Sequence, residues 1–565
     1  MNNSMDNSAT TIQLQRLNQL ETRFGRNVNN VDKFELAEAL ICSTRNVTNI
    51  MKSLSALGWI TWNPGRGRGN KSSFSIVHSF EELLIARLKN MCQHGSLNQA
   101  FQYAETFHYQ HTFKQHLSQW LKTNPEEIER SDELISLVNY SLPACHPIKM
   151  TDLNAGLYVN ALFDTLINYH PETASFTPSL AHQFTKTAKG YAFRIRPDVY
   201  FHNGILLTPE YIKSHLLTLK SHAPLHAYLF ESIKNIQVNK RWVEVELLFD
   251  DPLFLHGLSD IHSAVFLEDD KHPDFPIGTG SYCWESRNDE HWSLSKNEHY
   301  FGVNGILKRA DFWSNKDIST HNMSHVIEQE STLQTIPQSP LFTHSKLAGC
   351  YALCLSHRLP LNTRKALILL VLQQANSIHP ELPLCQTLFG NIAINVKNNH
   401  DNENNQVHAA KRNTPSNSET ELITGTIAFW DSNSEVSTFI QESLKSLGLT
   451  LYLVSDKSKA DMWISEYLFG KNTLLDHYYW LLVSETAQHL LPSLQRKQWL
   501  EWAKSTNDLN DYLSDIEEEC KTNHYITPLW GKSITFKTHK SLRGEKTDSL
   551  GLMTLANLWF DKRKQ

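Results

Sequence analysis

Residues Asp32–Ile76 read DKFELAEALICSTRNVTNIMKSLSALGWITWNPGRGRGNKSSFSI, and the fold of the front of the chain turns on them. Asp32 followed by Glu35 is a capping-box pattern, so a helix starts there and carries Phe34, Leu36, Ala37 and Leu40. Ile41, Cys42 and Ser43 leave a turn of helix-turn-helix length, and Ser43 is expected to cap the next helix. In that helix Val47, Ile50, Met51, Leu54 and Leu57 recur at helical spacing, a stripe expected to pack on the preceding helices. The opposite face offers Arg45, Asn46, Thr48, Asn49 and Lys52, with Ser43 and Thr44 at its start. Arginine can read guanine edges, asparagine can read adenine, and threonine and lysine can hold phosphate.

After Gly58 the pattern turns strand-like at WITW, bends through NPGRGRGN and returns as SSFSIV. The expected hairpin is a wing carrying Arg66, Arg68 and Lys71 toward a phosphate strand or a minor groove. Between Ile41 and Ile76 the cations are Arg45, Lys52, Arg66, Arg68 and Lys71, and there is no Asp or Glu, although the whole chain carries a formal charge of −6. A local reversal of sign marks a surface that meets phosphate. The plain alternative is a helical adaptor with a solvated basic hairpin. Helix, turn, charge and wing together favour double-stranded DNA. A nucleotide-binding loop is excluded at Gly65–Ser72: Asn70 stands where glycine must precede the lysine, and a strand follows in place of a helix.

Working outward, Ile12, Leu14, Leu17, Leu20 and Phe24 predict a first helix ending near Gly25, with residues 1–9 loose. Apolar residues from Phe80 to Phe107 predict a helical pair interrupted at His94-Gly95-Ser96, and Glu126–Glu133 is a charged connector. The expected domains are a winged helix-turn-helix over 10–77, a helical connector over 78–133 and a larger domain over 134–565. Lys397–Glu419 is polar and Asn-rich, too poor in apolar surface to fold, and is expected to be a disordered insertion.

A chain of 565 residues, 40% hydrophobic and 20% charged, is ordinary globular material for two to four domains. Its eight cysteines lack zinc-site spacing, and Cys350 and Cys354 fall on one face of a strand without bonding geometry. No metal and no cofactor is expected. Neither a secretory leader pattern nor a membrane-length apolar run occurs, so the expectation is a cytoplasmic protein with no membrane partner. GxSxG, HExxH and dinucleotide fingerprints are all missing, which argues against an enzyme.

Pro178-Ser179-Leu180-Ala181, Ala192–Gly204, Thr208–Ile212, PIGTGSY at Pro276–Tyr282 and Leu294–Phe301 occur in the order seen in family 5 solute-binding proteins, which they resemble. Tyr351–Leu372, Thr426–Val454 and ITPLW at Ile526–Trp530 extend that resemblance. A winged helix fused to such a domain is similar to the SgrR family of bacterial transcriptional regulators. The resemblance implies an α+β winged helix-turn-helix followed by a two-lobed α/β periplasmic-binding-protein-like domain. It further implies a small-molecule ligand such as a sugar phosphate or related metabolite, a link to sugar-phosphate stress and a small regulatory RNA gene as target. Candidate ligand residues by this resemblance are His146, Lys149, Trp430, Glu466 and Asp476, with His146 and Lys149 the cations a phosphate would need. Gly278, Thr279 and Gly280 read as structural, permitting a tight turn. The runner-up reading is the receptor of a peptide importer, and a more distant one is a hydrolase built on the binding fold. Oligomeric state is left open.

Overall fold

The computed structural model describes residues 2–65, 70–93, 97–121, 132–138, 140–152, 154–222, 226–314, 328–333, 342–378, 384–388, 426–432, 435–506, 508–538, 542–544 and 554–561. Arg66, Arg68, the 94–96 interruption, most of the 126–133 connector and the 397–419 insertion lie outside them. Among the described residues, those up to Leu121 form one compact unit and those from Asp132 onward form a second.

The first unit opens with helix α1 (Asn2–Phe24), which begins earlier than the polar start suggested. Once Leu14, Leu17 and Leu20 are buried, extending a formed helix costs little per residue. Ile12 stays exposed and does not join that stripe. Strand β1 (Asn29–Val31) leads to α2 (Lys33–Ala39), where the expected capping box forms: the Asp32 carboxylate accepts from Phe34 and Glu35 N–H at 2.8 Å, and Glu35 accepts from Asp32 N–H at 2.9 Å.

The turn after α2 is a Schellman motif. Cys42 N–H donates to the Ala37 carbonyl at 2.9 Å and Ile41 N–H to Glu38 at 3.1 Å, while Arg16 donates to the Leu40 carbonyl. Helix α3 (Thr44–Ala56) ends the same way, through Trp59 N–H to Leu54 and Gly58 N–H to Ser55. Strands β2 (Ile60–Asn63) and β3 (Ser72–Ile76) complete an antiparallel sheet in the order β1-β3-β2. Helices α4 (Phe80–Gln93), α5 (Leu97–Thr106) and α6 (Gln110–Leu121) follow, and the Glu21 carboxylate of α1 accepts from Phe80 N–H at 2.7 Å.

The second unit contains three larger sheets. One is antiparallel, ordered Ala181–Thr187, Gly190–Ile195, Trp242–Leu247, Ile233–Asn239; another pairs Tyr282–Arg287, His291–Lys296, Arg309–Ser314 and, in parallel, Glu133–Val138. The third runs Glu328–Leu333, Ile526–Thr538, Phe342–Leu355, Met462–Leu468, Ile427–Trp430, Leu451–Val454. Along its strand Cys350–Leu355, Cys350, Ala352 and Cys354 join one apolar cluster while Tyr351, Leu353 and Leu355 join another. This strand is therefore buried on both faces, which explains its continuous apolar run. The pairing of Cys350 with Cys354 on one face follows from the same alternation, and all eight cysteines are free.

Gly278 and Gly280 are structural for a reason the sequence did not show. A Cβ at Gly278 would lie 1.9 Å from the Leu162 carbonyl oxygen, and one at Gly280 2.4 Å from that of Ala161. Close backbone approach, with no positive φ at either residue, is what requires glycine there.

Candidate nucleic-acid interface and ligand cavity

Helix α3 is two-sided. Val47, Met51 and Leu54 are fully buried, while Arg45, Asn46, Asn49 and Lys52 are exposed and Thr44 and Thr48 half-exposed. Two details differ from expectation. The Ser43 hydroxyl makes no cap hydrogen bond; only its carbonyl is used, accepting from Asn46 and Val47 N–H. Ser43 is exposed. Leu57 falls at the helix end and is 49% exposed, so the packing stripe stops at Leu54.

The hairpin behind α3 is held across its strands by Thr61 Oγ1 and Ser75 Oγ at 2.7 Å, and at its base by Gly65 N–H donating to Ser72 Oγ at 3.1 Å. Gly65 is needed because an added Cβ would meet the Asn70 carbonyl at 2.3 Å. Lys71 is exposed beside this turn.

In the second unit a cavity of about 460 Å³ is walled by Met150, Thr151, Asp152 and Gly156; by His226 and Tyr228; by Asp260, Ile261 and His262; and by Glu466, Leu468, Leu475, Asp476, Tyr479 and Trp480. That size suits a small ligand. Thr473–Tyr478 forms a helical turn capped by Asn472, and Tyr479–Val483 continues it as a π-helix, a form often found at functional sites. Trp480 Nε1 donates to the Leu468 carbonyl at 2.7 Å, which sets the indole, and Gly470 N–H donates to Asp476 Oδ2 at 2.6 Å, which sets that carboxylate. Glu466 is hydrogen-bonded by Lys532.

On the facing wall His226 and His262 stack at 3.8 Å, and His262 Nδ1 lies 2.6 Å from Asp260 Oδ1. Burial alone would raise the Asp260 carboxyl, but the charge and hydrogen bond of His262, helped by His226, outweigh it and leave the group below its usual value. Burial, reinforced by His262, pushes the His226 imidazole down to about 4. The two walls meet where Tyr228 stacks on Tyr478 at 5.8 Å and where His256 Nδ1 and Asn472 Oδ1 lie 2.9 Å apart.

Of the five ligand residues read from sequence, the structure brings Glu466 and Asp476 together at the cavity. The other three lie outside its lining. His146 is 0% exposed, packed against Phe266 at 4.6 Å with Nε2 3.4 Å from Glu268, and so is a core residue whose imidazole cannot meet a ligand. Burial, with Lys149 acting in the same direction, also lowers its pKa. Lys149 is exposed, and Trp430 carries Lys457 Nζ over its ring at 4.8 Å. His226, Tyr228, Asp260 and His262 were not found from sequence; nothing in their local pattern separates them from ordinary surface residues.

Among the described residues no helix is long and apolar enough to cross a membrane, and no group of three or more His, Cys, Asp or Glu side chains could hold a metal ion.

Residues 12–127 match the family described as sugar transport-related sRNA regulator, N-terminal, and residues 175–330 match bacterial extracellular solute-binding proteins, family 5, middle. The HTH-type transcriptional regulator SgrR of Yersinia enterocolitica is 22% identical over 550 residues, covering 93% of this chain and 94% of the relative. Among solved structures, NikA from Brucella suis in complex with Fe(III)-EDTA has a TM-score of 0.59 at 15% identity, covering 76% of this chain and 99% of its own. DppA from Helicobacter pylori in complex with the peptide STSA has a TM-score of 0.59 at 16% identity, covering 76% and 98%. These two likenesses show the periplasmic-binding-protein fold.

Proposed function

We propose that this chain is a transcriptional regulator of the SgrR kind with a family 5 solute-binding domain, in which α3 reads duplex DNA while the cavity takes the small molecule that sets its activity. The observation that carries the reading is the division of α3, with Val47, Met51 and Leu54 sealed inside and Arg45, Asn46, Asn49 and Lys52 free to enter a groove. Arg45 and Asn49 lie four residues apart on one face, the spacing that lets two side chains address neighbouring base pairs. Lys71 and the wing arginines Arg66 and Arg68 hold the flanking phosphates, and Ser43, Thr44 and Thr48 donate at the helix mouth and rim. The protein acts where the chromosome is, in the cytoplasm, and acts as a regulator with no catalytic role of its own.

Regulation requires that the ligand bind two states of the second unit unequally, since equal affinity switches nothing. The receptor reading, a binding module for an importer, gives no role to a cationic helix face.

The test is selection of duplexes from a random pool by the full-length protein, followed by titration of the selected and random duplexes. Arg45→Ala should weaken the selected site by about 1–3 kcal/mol, roughly five- to 150-fold, and random DNA much less. Equal loss on both duplexes would show that Arg45 does not read bases, and absence of duplex binding by the parent protein would end the regulator reading.

A further inference from the structure

The cavity wall is predominantly acidic. Asp152, Asp260, Glu466 and Asp476 line it, and among the described lining residues there is neither a lysine nor an arginine. One ammonium bonded to this wall, Lys532, is 7% exposed, is engaged by Glu466 and sits 5.4 Å over the Tyr351 ring, outside the lining. His226 is held neutral by burial, and His262 is committed to Asp260.

A sugar phosphate would place its anionic group among these carboxylates in a partly dehydrated space. A free peptide would do the same with its terminal carboxylate. Each such like-charge pair at about 5 Å costs on the order of a few hundredfold in affinity at an effective dielectric near 20. A cation gains from the same field, and the rings of Tyr228, Tyr479 and Trp480 offer it the faces that replace lost hydration. The apolar remainder, Met150, Ile261, Leu468 and Leu475, suits a hydrocarbon body.

We propose that the ligand of this site is an organic cation without an acid group, an amine or quaternary ammonium on an apolar body. Its head lies by Asp476 and Glu466, and its body lies against Tyr228, Tyr479 and Trp480. This inference rests on reading the second unit as the ligand sensor, and it departs from the sugar phosphate that the family resemblance implied.

The test is calorimetry on the full-length protein with phenethylamine, tetraethylammonium and 1,5-diaminopentane as cations, and with glucose 6-phosphate and alanyl-phenylalanine as acid-bearing probes. At least one cation should bind, and neither acid-bearing probe should. Glu466→Gln strips Lys532 of its partner and risks the fold, so Asp476→Asn and Tyr479→Leu carry the assignment. Each should weaken the bound cation about tenfold or more with the melting temperature of the unliganded protein unchanged, while Lys149→Ala leaves binding as it was. Failure of all three cations to bind, binding of either acid-bearing probe, or indifference to both cavity substitutions overturns the proposal. The same preparation titrated with its selected duplex separates the two readings. Duplex binding without cation binding removes only this inference, and cation binding without duplex binding removes only the regulator reading.

Discussion

The outer face of α3 draws Arg45, Asn46, Asn49 and Lys52 from eight consecutive residues of one helix. The cavity draws its walls from separated stretches at 150–156, 226–228, 260–262, 466–468 and 475–480. The first surface is cationic and open, the second acidic and half-enclosed. One chain of modest net charge thus holds two proposed recognition surfaces of opposite sign. A site on one element owes its chemistry to local order, whereas a site between elements owes it to which segments folding brings together.

Salt should separate the two most strongly. Five cations on the front module, each releasing a counterion from DNA, imply that raising salt from about 50 to about 200 mM weakens duplex binding on the order of several hundredfold. Binding of a single cation in the cavity should change by less than about tenfold over that range. Parallel losses in the two titrations would break the contrast.

Glycine substitutions sharpen it next. Gly278→Ala forces a Cβ to 1.9 Å from a backbone oxygen and should destabilise the second unit by about 3 kcal/mol or more in a thermal melt. Gly58→Ala in the first unit meets no atom within 4 Å, so only its φ of +74° resists, and the loss should be about 1–2 kcal/mol.

Acid should act through the second unit to a similar or slightly smaller extent. His215, 4% exposed and donating through Nε2 to the Ser263 carbonyl at 3.0 Å, is pushed down to about 4 by burial, and His256 is also lowered to about 4 chiefly by burial. Below about pH 6.5 the unfolded chain binds protons that the folded histidines refuse, so stability falls as pH drops from about 6.5 toward 4. His215 alone accounts for on the order of 3 kcal/mol at most, and His215→Gln should flatten the slope in chemical denaturation followed across that range.

The smallest effect lies in the helix-turn-helix turn. Ile41 occupies the same Schellman position as Gly58 with φ +48° and is 79% exposed, so it has the backbone cost of that conformation and little packing to offset it. Ile41→Gly should stabilise the first unit by roughly 0.5–1 kcal/mol, the relief of strain less the added freedom of the unfolded chain. A loss in the melt would mean that the isoleucine side chain has a contact to lose.

Legibility followed the same divide. The capping box at Asp32, the α3 stripe from Val47 to Leu54 and the hairpin strands were readable because each depends on neighbours within a few residues. The Ser43 cap was misread because its hydroxyl makes no hydrogen bond to the helix amides, a side-chain choice no pattern encodes. Glu466 and Asp476 were reached through ordered family blocks, and the same route selected His146, which packing against Phe266 had already removed from solvent.

Helix starts, the two-sided α3 and the sign reversal over Ile41–Ile76 were written into residue order, since hydrophobic periodicity and charge act over one or two turns. The acidity of the cavity, the stacked His226 and His262 and the need for glycine at 278 came into being only when distant backbones met. Electrostatic fields and steric exclusion act over ångströms of space, and a chain separated by hundreds of residues carries no local trace of such meetings.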